Sequence, residues 1–286
     1  MNPDSYYYNE IEFDTHGYLG DFIDCAYVLT MDNSTRVSTI RERLEFAPPC
    51  KKVIIQYNLG YKKSHKPNLP EQLSNYDITD AYYHALFHYN SNFKNQGRVL
   101  LLEDDFVFTP EIKSPSTYKD IDNLLKNEEA DLIQFGHVIS VYNPIWLIKN
   151  KYNFRRHMYA PVCHCVIYTT KFIEKFLKQY PKGEFPYEHF DKAHSSDYTK
   201  NFWVYDYPLA VQAFSRTENS KNWDILGIKT YDGLSIAVDT FNLNSTDNEV
   251  LIEGFKKINS FNYKANLLAW GLTLVLPCSL VLSYLY

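Results

Sequence analysis

The chain has 286 residues, a formal net charge of −5 and 45% hydrophobic residues. That length suits one large domain or two small ones around a core of ordinary size. Its basic residues cluster only in pairs such as Lys51-Lys52, Lys62-Lys63, Arg155-Arg156 and Lys256-Lys257, which argues against a nucleic-acid partner, because phosphate binding needs concentrated Lys and Arg.

Residues 1–22 are polar and acidic and read as an extension, without the basic start and apolar run of a signal peptide. "IDCAYVLTM" (23–31) predicts a buried strand, and "DNSTRVSTIRERLEF" a helix through about Phe46, with Asp32, Asn33 or Ser34 as its cap. Pro48-Pro49 ends that helix, and "KKVIIQYNL" (51–59) predicts a second strand. Residues 60–76 read as a loop, 78–93 as a helix and "RVLLL" (98–102) as a third strand. A short strand "FVF" (106–108), a helix over 118–129 and a strand over 131–136 follow. A strand over 160–170, a helix from 171 to about 180 and an extended run over 203–214 complete the pattern. Strand and helix alternate through the first half, which predicts an α/β fold with a mostly parallel sheet and helices on both faces. The five cysteines are scattered and predict no disulfide framework. Cys163-His164-Cys165 reads as strand alternation rather than a zinc site, for want of a second Cys/His pair.

The last 22 residues, 265–286, carry no charge. As a helix they would reach roughly 33 Å, enough to cross a bilayer core. Trp270, Tyr284 and Tyr286 stand near the two ends, where interfacial aromatics belong, and Lys256, Lys257 and Lys264 precede the segment. The sequence therefore predicts a main domain over 23–250, a juxtamembrane linker over 251–264 and a C-terminal transmembrane anchor over 265–286, with the main domain in the cytosol.

The chemistry is concentrated in "VLLLEDDFVF" (99–108), where Glu103, Asp104 and Asp105 end an apolar strand. In α/β sheets ligands bind beyond the carboxyl ends of the strands. If the run is extended, Glu103 and Asp105 share one direction and Asp104 takes the other. Three adjacent carboxylates repel unless a cation neutralises them. Hard oxygen ligands suit Mg²⁺ or Mn²⁺, and so short a ligand set leaves coordination positions for substrate phosphates. A nucleoside diphosphate leaving group answers that description.

Five segments in order resemble the nucleotide-sugar glycosyltransferases of GT-A fold (Rossmann-like), most closely the lipopolysaccharide and collagen-type enzymes of family 25 and relatives from large DNA viruses. They are "YVLTMDNSTRVSTIRERL" (27–44), "RVLLLEDDFVF" (98–108), "DLIQFG" (131–136), "HCVIYTTKFIEKFL" (164–177) and "HSSDYTKNFWVYDYPLAVQAFSRTENSKNW" (194–223). The resemblance implies a metal-dependent transferase moving a hexose from a nucleotide-diphosphate sugar, UDP-linked above all, to a hydroxyl on a glycan, lipid or protein. It implies Asp105 as the ligand of Mn²⁺ or Mg²⁺, assisted by Glu103, with Asp104 at the sugar or bracing the loop. Thr30, Met31 and Arg36 would line the nucleotide pocket. Asp197 is the first candidate for the base that deprotonates the acceptor, with Asp191 and Glu188 as rivals. Gln212 would lie near the site floor. The Ser-His pair common in the bacterial members is missing from "DAYYHALFHY" (80–89). The competing expectations are a non-catalytic membrane or virion protein that keeps the fold, and a nucleotidyltransferase or metal-dependent phosphohydrolase.

Overall fold

The computed structural model describes residues 3–93, 97–138, 140–142, 145, 150–160, 164–181, 183–184, 190–194, 201–213, 224–225, 228–229 and 231–285. In chain order the strands and helices are β1 (Tyr6–Glu12), β2 (Cys25–Met31), α1 (Val37–Phe46), β3 (Lys52–Asn58), α2 (Ser74–Asn92), β4 (Arg98–Glu103) and β5 (Phe106–Phe108). There follow α3 (Pro115–Asn127), β6 (Leu132–Gln134), β7 (Val141–Tyr142), β8 (Phe154–Tyr159), β9 (Cys165–Thr169) and α4 (Thr170–Gln179). The rest are β10 (Phe202–Tyr205), β11 (Ala210–Gln212), β12 (Asp224–Ile225), β13 (Ile228–Lys229), α5 (Tyr231–Thr240) and α6 (Asn248–Leu285).

Nine strands form one sheet in the order β1-β3-β2-β4-β9-β6-β10-β8-β7. β2 pairs in parallel with both β3 and β4, and β6 with β10. β1, β8 and β9 run against the other six. The sheet is thus mixed, with most strands pointing one way, and is compatible with a GT-A-like architecture. Period-two alternation sorts the central strands between two cores. Ala26, Val28, Val53, Ile55, Leu100 and Leu102 face one core, which α1 covers with Ile40 and Leu44 and α3 with Ile121 and Leu124. Cys25, Tyr27, Leu29, Ile54, Val99 and Leu101 face the other, under Tyr82, Tyr83, Leu86 and Tyr89 of α2 and Phe172, Ile173 and Phe176 of α4. Helices therefore lie on both faces. Because β2, β3 and β4 are parallel, their carboxyl ends, at Met31, Asn58 and Glu103, share one edge.

A separate two-stranded ribbon, β5 with β11, continues from that edge. Its register sets Phe106 opposite Gln212 and Phe108 opposite Ala210. Val107 and Val211 of the ribbon pack against Leu251, Phe255 and Ile258 of α6.

The expected transmembrane anchor is corrected by this packing. Among the described residues no helix is long and apolar enough to cross a membrane. The uncharged segment does not stand alone but continues a 38-residue helix that starts at Asn248 and docks on the domain. Leu251, Phe255 and Ile258 are buried against protein. Asn262 and Asn266 donate their side-chain amides to the Ser140 carbonyl, at 3.3 and 2.9 Å. Trp270, expected at a membrane interface, instead donates its indole N–H to the Tyr142 carbonyl at 3.1 Å. Of the segment expected to enter lipid, Asn266 and Trp270 are thus bonded to the protein, while Leu267 and Leu268 are exposed, and the tail-anchored location with a cytosolic domain falls with the anchor.

Candidate active site

β4 delivers the three acids to the sheet edge, and each meets a different environment. Asp104 is held by the end of β2 and the loop after it. Its carboxylate accepts from Thr30 Oγ1 and Ser34 Oγ, both at 2.7 Å, and from Arg36 Nη1 at 2.8 Å. Its backbone carbonyl accepts from Arg43 Nη1 at 3.0 Å. Ser34, a possible helix cap by sequence, is drawn to Asp104 instead, and α1 begins only at Val37 with no side-chain cap. Asp104 is therefore fully engaged in bracing the end of β2, at Thr30, and the loop after it, at Ser34 and Arg36. Met31 is 39% exposed at the end of β2.

Glu103, the last residue of β4, and Asp105, in the turn before β5, share a different set of partners. Tyr82 of α2 donates its hydroxyl to Glu103 Oε1 at 2.6 Å. Gln212 Nε2 donates to Asp105 Oδ2 at 3.0 Å and lies 3.3 Å from Glu103 Oε2, so one amide ties the two carboxylates together. The ribbon causes this contact. Gln212 stands opposite Phe106, one residue beyond Asp105, and the Ala213 N–H bonds the Asp105 carbonyl at 3.0 Å. Asp105 Oδ1 and Gln212 Oε1 are buried with no hydrogen-bond partner. Arg36 Nη1 is 3.7 Å from Asp105 Oδ2, and with Arg43 it supplies the only cationic side chains bonded to the trio among the described residues. With all five groups ionised, the cluster keeps an excess of negative charge.

Burial, followed by repulsion from Asp105, pushes the Glu103 carboxyl well above the usual carboxylate range. Burial, followed by repulsion from Asp104, does the same to Asp105. A carboxyl raised in the folded state binds protons there that the unfolded chain has released, so the pair costs stability as pH rises through the folded values. Metal-free protein should therefore melt at a lower temperature at about pH 8 than at about pH 5.5, and the difference should shrink in Asp105→Asn. An equal pH dependence in both proteins would show that the pair is not under this strain.

A hard divalent cation is the group this donor set fits. The orphaned Asp105 Oδ1 and the crowded Glu103–Asp105 pair supply hard anionic oxygen. Among the described residues no three His, Cys, Asp or Glu side chains converge on one metal position, so further ligands would have to come from other groups, such as substrate phosphates.

Of the three candidate bases, only Asp191 lies among the described residues; Glu188 and Asp197 fall outside them. Asp191 belongs to a short 3-10 turn, Phe190–Ala193, and the neighbouring Phe190 ring stacks on Tyr82 at 4.5 Å between centroids. The turn is thus joined to the acid site through the residue that holds Glu103. Of the Cys-His-Cys run, Cys163 also falls outside the described residues, Cys165 is buried in β9, and His164 Nε2 bonds the Ala210 carbonyl at 3.1 Å. His164 also lends its own carbonyl to the Glu103 N–H at 3.3 Å.

Tyr82 is not among the site residues expected from the sequence. Replacing it with Phe should raise the Glu103 carboxyl further, because the lost hydroxyl favours its charged form. The acid limb of the activity profile is then expected to move to higher pH; an unmoved limb would separate Glu103 from the reaction. A second charged cluster was equally unforeseen. Lys66, wholly buried, bonds Tyr6 Oη, Asn58 Oδ1 and Asp77 Oδ1, and lies 3.2 Å from Asp80 Oδ2. Tyr6 donates to Asp80, Asn68 Nδ2 bonds Asp80 Oδ1 at 2.7 Å, and His84 stacks on Tyr6 at 4.1 Å. This cluster locks β1, the loop after β3 and the start of α2 together beside the carboxyl edge.

No family model and no curated protein matches the chain, so membership of family 25 is not shown. Among solved structures, the chain is similar to a glycosyltransferase involved in the glycosylation of the major capsid of PBCV-1, at 12% identity and a TM-score of 0.39, over 68% of this chain and 95% of that one. It is also similar to HddC from Yersinia pseudotuberculosis, at 13% identity and a TM-score of 0.33, over 68% of this chain and 74% of that one. Both are partial likenesses of chain path, and the chemistry rests on this chain's own side chains.

Proposed function

We propose that this chain is a metal-dependent glycosyltransferase that moves a hexose from a nucleotide-diphosphate sugar, UDP-linked above all, to a hydroxyl on a glycan, lipid or protein. One observation carries the reading: Asp105, buried at the carboxyl end of the central strand beside Glu103, has a carboxylate oxygen with no partner. A bound Mn²⁺ or Mg²⁺ would supply neutralisation of the diphosphate as the bond from the anomeric carbon to its phosphate oxygen breaks. Asp105 would hold that ion, with Glu103 assisting and Tyr82 and Gln212 fixing the two carboxylates. Asp104 acts indirectly, by fixing the end of β2 at Thr30 and the loop that carries Ser34 and Arg36, whose guanidinium would meet a phosphate. A carboxylate on the acceptor side takes the hydroxyl proton as the new bond to the anomeric carbon forms. Asp191 is the candidate whose turn packs on Tyr82; Asp197 and Glu188 remain candidates by sequence alone.

The test is a donor screen that follows release of UDP or GDP from a panel of nucleotide sugars with Mn²⁺. Release from at least one donor, abolished by chelation and by Asp105→Ala, is expected. Turnover of nucleoside triphosphates with pyrophosphate release, and none of the sugars, would assign nucleotidyl transfer instead. Donor turnover undiminished in Asp105→Ala would refute the metal role.

A further inference from the structure

We propose that Gln212 is both the stand-in for the cation and one of its ligands: its amide N–H group ties the two carboxylates when the cation is away, and its Oε1 becomes a neutral oxygen ligand when the cation enters. The inference rests on the metal-dependent reading of the site and assigns a residue whose role that reading leaves at holding the carboxylates.

The amide nitrogen occupies the position a positive charge would favour. It lies 3.0 Å from Asp105 Oδ2 and 3.3 Å from Glu103 Oε2, where two anionic groups converge. An amide N–H is a weak substitute there, because it brings a partial charge against two carboxylates. The other end of the same group is the second observation. Gln212 is 8% exposed, and Oε1 is buried without a partner, as is Asp105 Oδ1. Buried carbonyl oxygens ordinarily find a partner, and an unpartnered one beside carboxylates has the chemistry of a cation ligand. An amide oxygen and a carboxylate oxygen form the mixed set that hard divalent ions accept. Rotation of the terminal amide exchanges nitrogen and oxygen without moving the backbone, which the ladder opposite Phe106 and the packing of Val211 under α6 hold in place. A neutral third ligand also avoids adding another negative charge to a trio that already repels itself.

The experiment measures Mn²⁺ binding to the full chain by electron paramagnetic resonance, with UDP present, together with melting temperature in the absence and presence of Mn²⁺. Gln212→Leu is expected to weaken Mn²⁺ binding about tenfold or more. Gln212→Glu is expected to melt below wild type without metal, from like-charge repulsion, and to gain more than wild type when Mn²⁺ is added. A residue that merely filled space would give the Glu variant its loss without that larger gain. Wild type and Gln212→Leu binding Mn²⁺ equally would overturn the role of Gln212 and leave the metal-dependent reading standing. A wild type that binds no Mn²⁺ with UDP would overturn both. Should Gln212→Leu fail to fold, the Mn²⁺-dependent gain of Gln212→Glu decides the matter alone: a gain no larger than that of wild type overturns the role.

Discussion

Asp105→Asn should lower sugar transfer by about a thousandfold or more while leaving the chain folded and raising its melting temperature above that of metal-free wild type. The two effects have one origin. An ion held by Asp105 is asked to offset several kcal/mol of charge on the departing diphosphate, and about 4 kcal/mol corresponds to a thousandfold in rate. The asparagine matches the aspartate in size and still offers an oxygen to Gln212, so packing is retained. It also removes one negative charge from a buried group whose neutral form the surroundings already favour. Asp104→Asn makes the contrast. Asp104 accepts from Thr30, Ser34 and Arg36, so that change should loosen the loop and lower the melting temperature. Nucleotide release and thermal melting on the two variants decide the question. Equal activity of wild type and Asp105→Asn, or a lower melting temperature for Asp105→Asn, would mean that Asp105 is an ordinary structural carboxylate.

Lys66→Met should destabilise the fold by about 3–5 kcal/mol, the range for removing one partner of a buried ion pair. In a chain of this size that corresponds to a fall in melting temperature on the order of 10 °C. The lysine is wholly buried, and among the described residues it is the only Lys or Arg paired with Asp77 and Asp80. His84 cannot take its place, since burial lowers its imidazole to about 4 and keeps it neutral. Without Lys66 two carboxylates would be left in the interior with neutral donors such as Tyr6, Asn68 and the Tyr61 N–H. Adding Asp80→Asn to Lys66→Met should recover part of the loss, because coupled groups do not act additively. A melting temperature within about 2 °C of wild type for Lys66→Met would show that the cluster is not a keystone.

The strongly periodic parts of the chain were legible. β2, β3 and β4 are apolar runs bounded by turn residues, and α1 to α4 carry apolar residues at helical spacing. The pairing of Glu103 with Asp105 was expected from strand alternation, yet Asp104 and Asp105 form the turn between β4 and β5, and it is the Gln212 amide that joins the two carboxylates. What failed depended on partners far away in sequence. Tyr6–Glu12 alternates too weakly to declare itself a strand and becomes one by pairing with β3. Residues 203–214 read as one extended run, yet β10 joins the main sheet while β11 leaves it for the ribbon. That division is what carries Gln212 to the acids, across more than a hundred residues of chain. A lysine in a loop reads as solvated until Asp77 and Asp80 are seen to enclose it. The C-terminal segment misled for a plainer reason. Its lack of charge was read apart from the preceding turns of the same helix, which dock on the domain and lead Asn266 and Trp270 to protein partners.

The docking of α6 on the ribbon bears on how the protein can be shortened. Leu251, Phe255 and Ile258 back the strands that present Asp105 and Gln212. Trimming the chain before Asn248 would strip the rear support from those strands, and ending it near 265 would still cost the tethers at Asn266 and Trp270. A minimal version meant to keep a well-aligned acid pair should therefore run through Trp270.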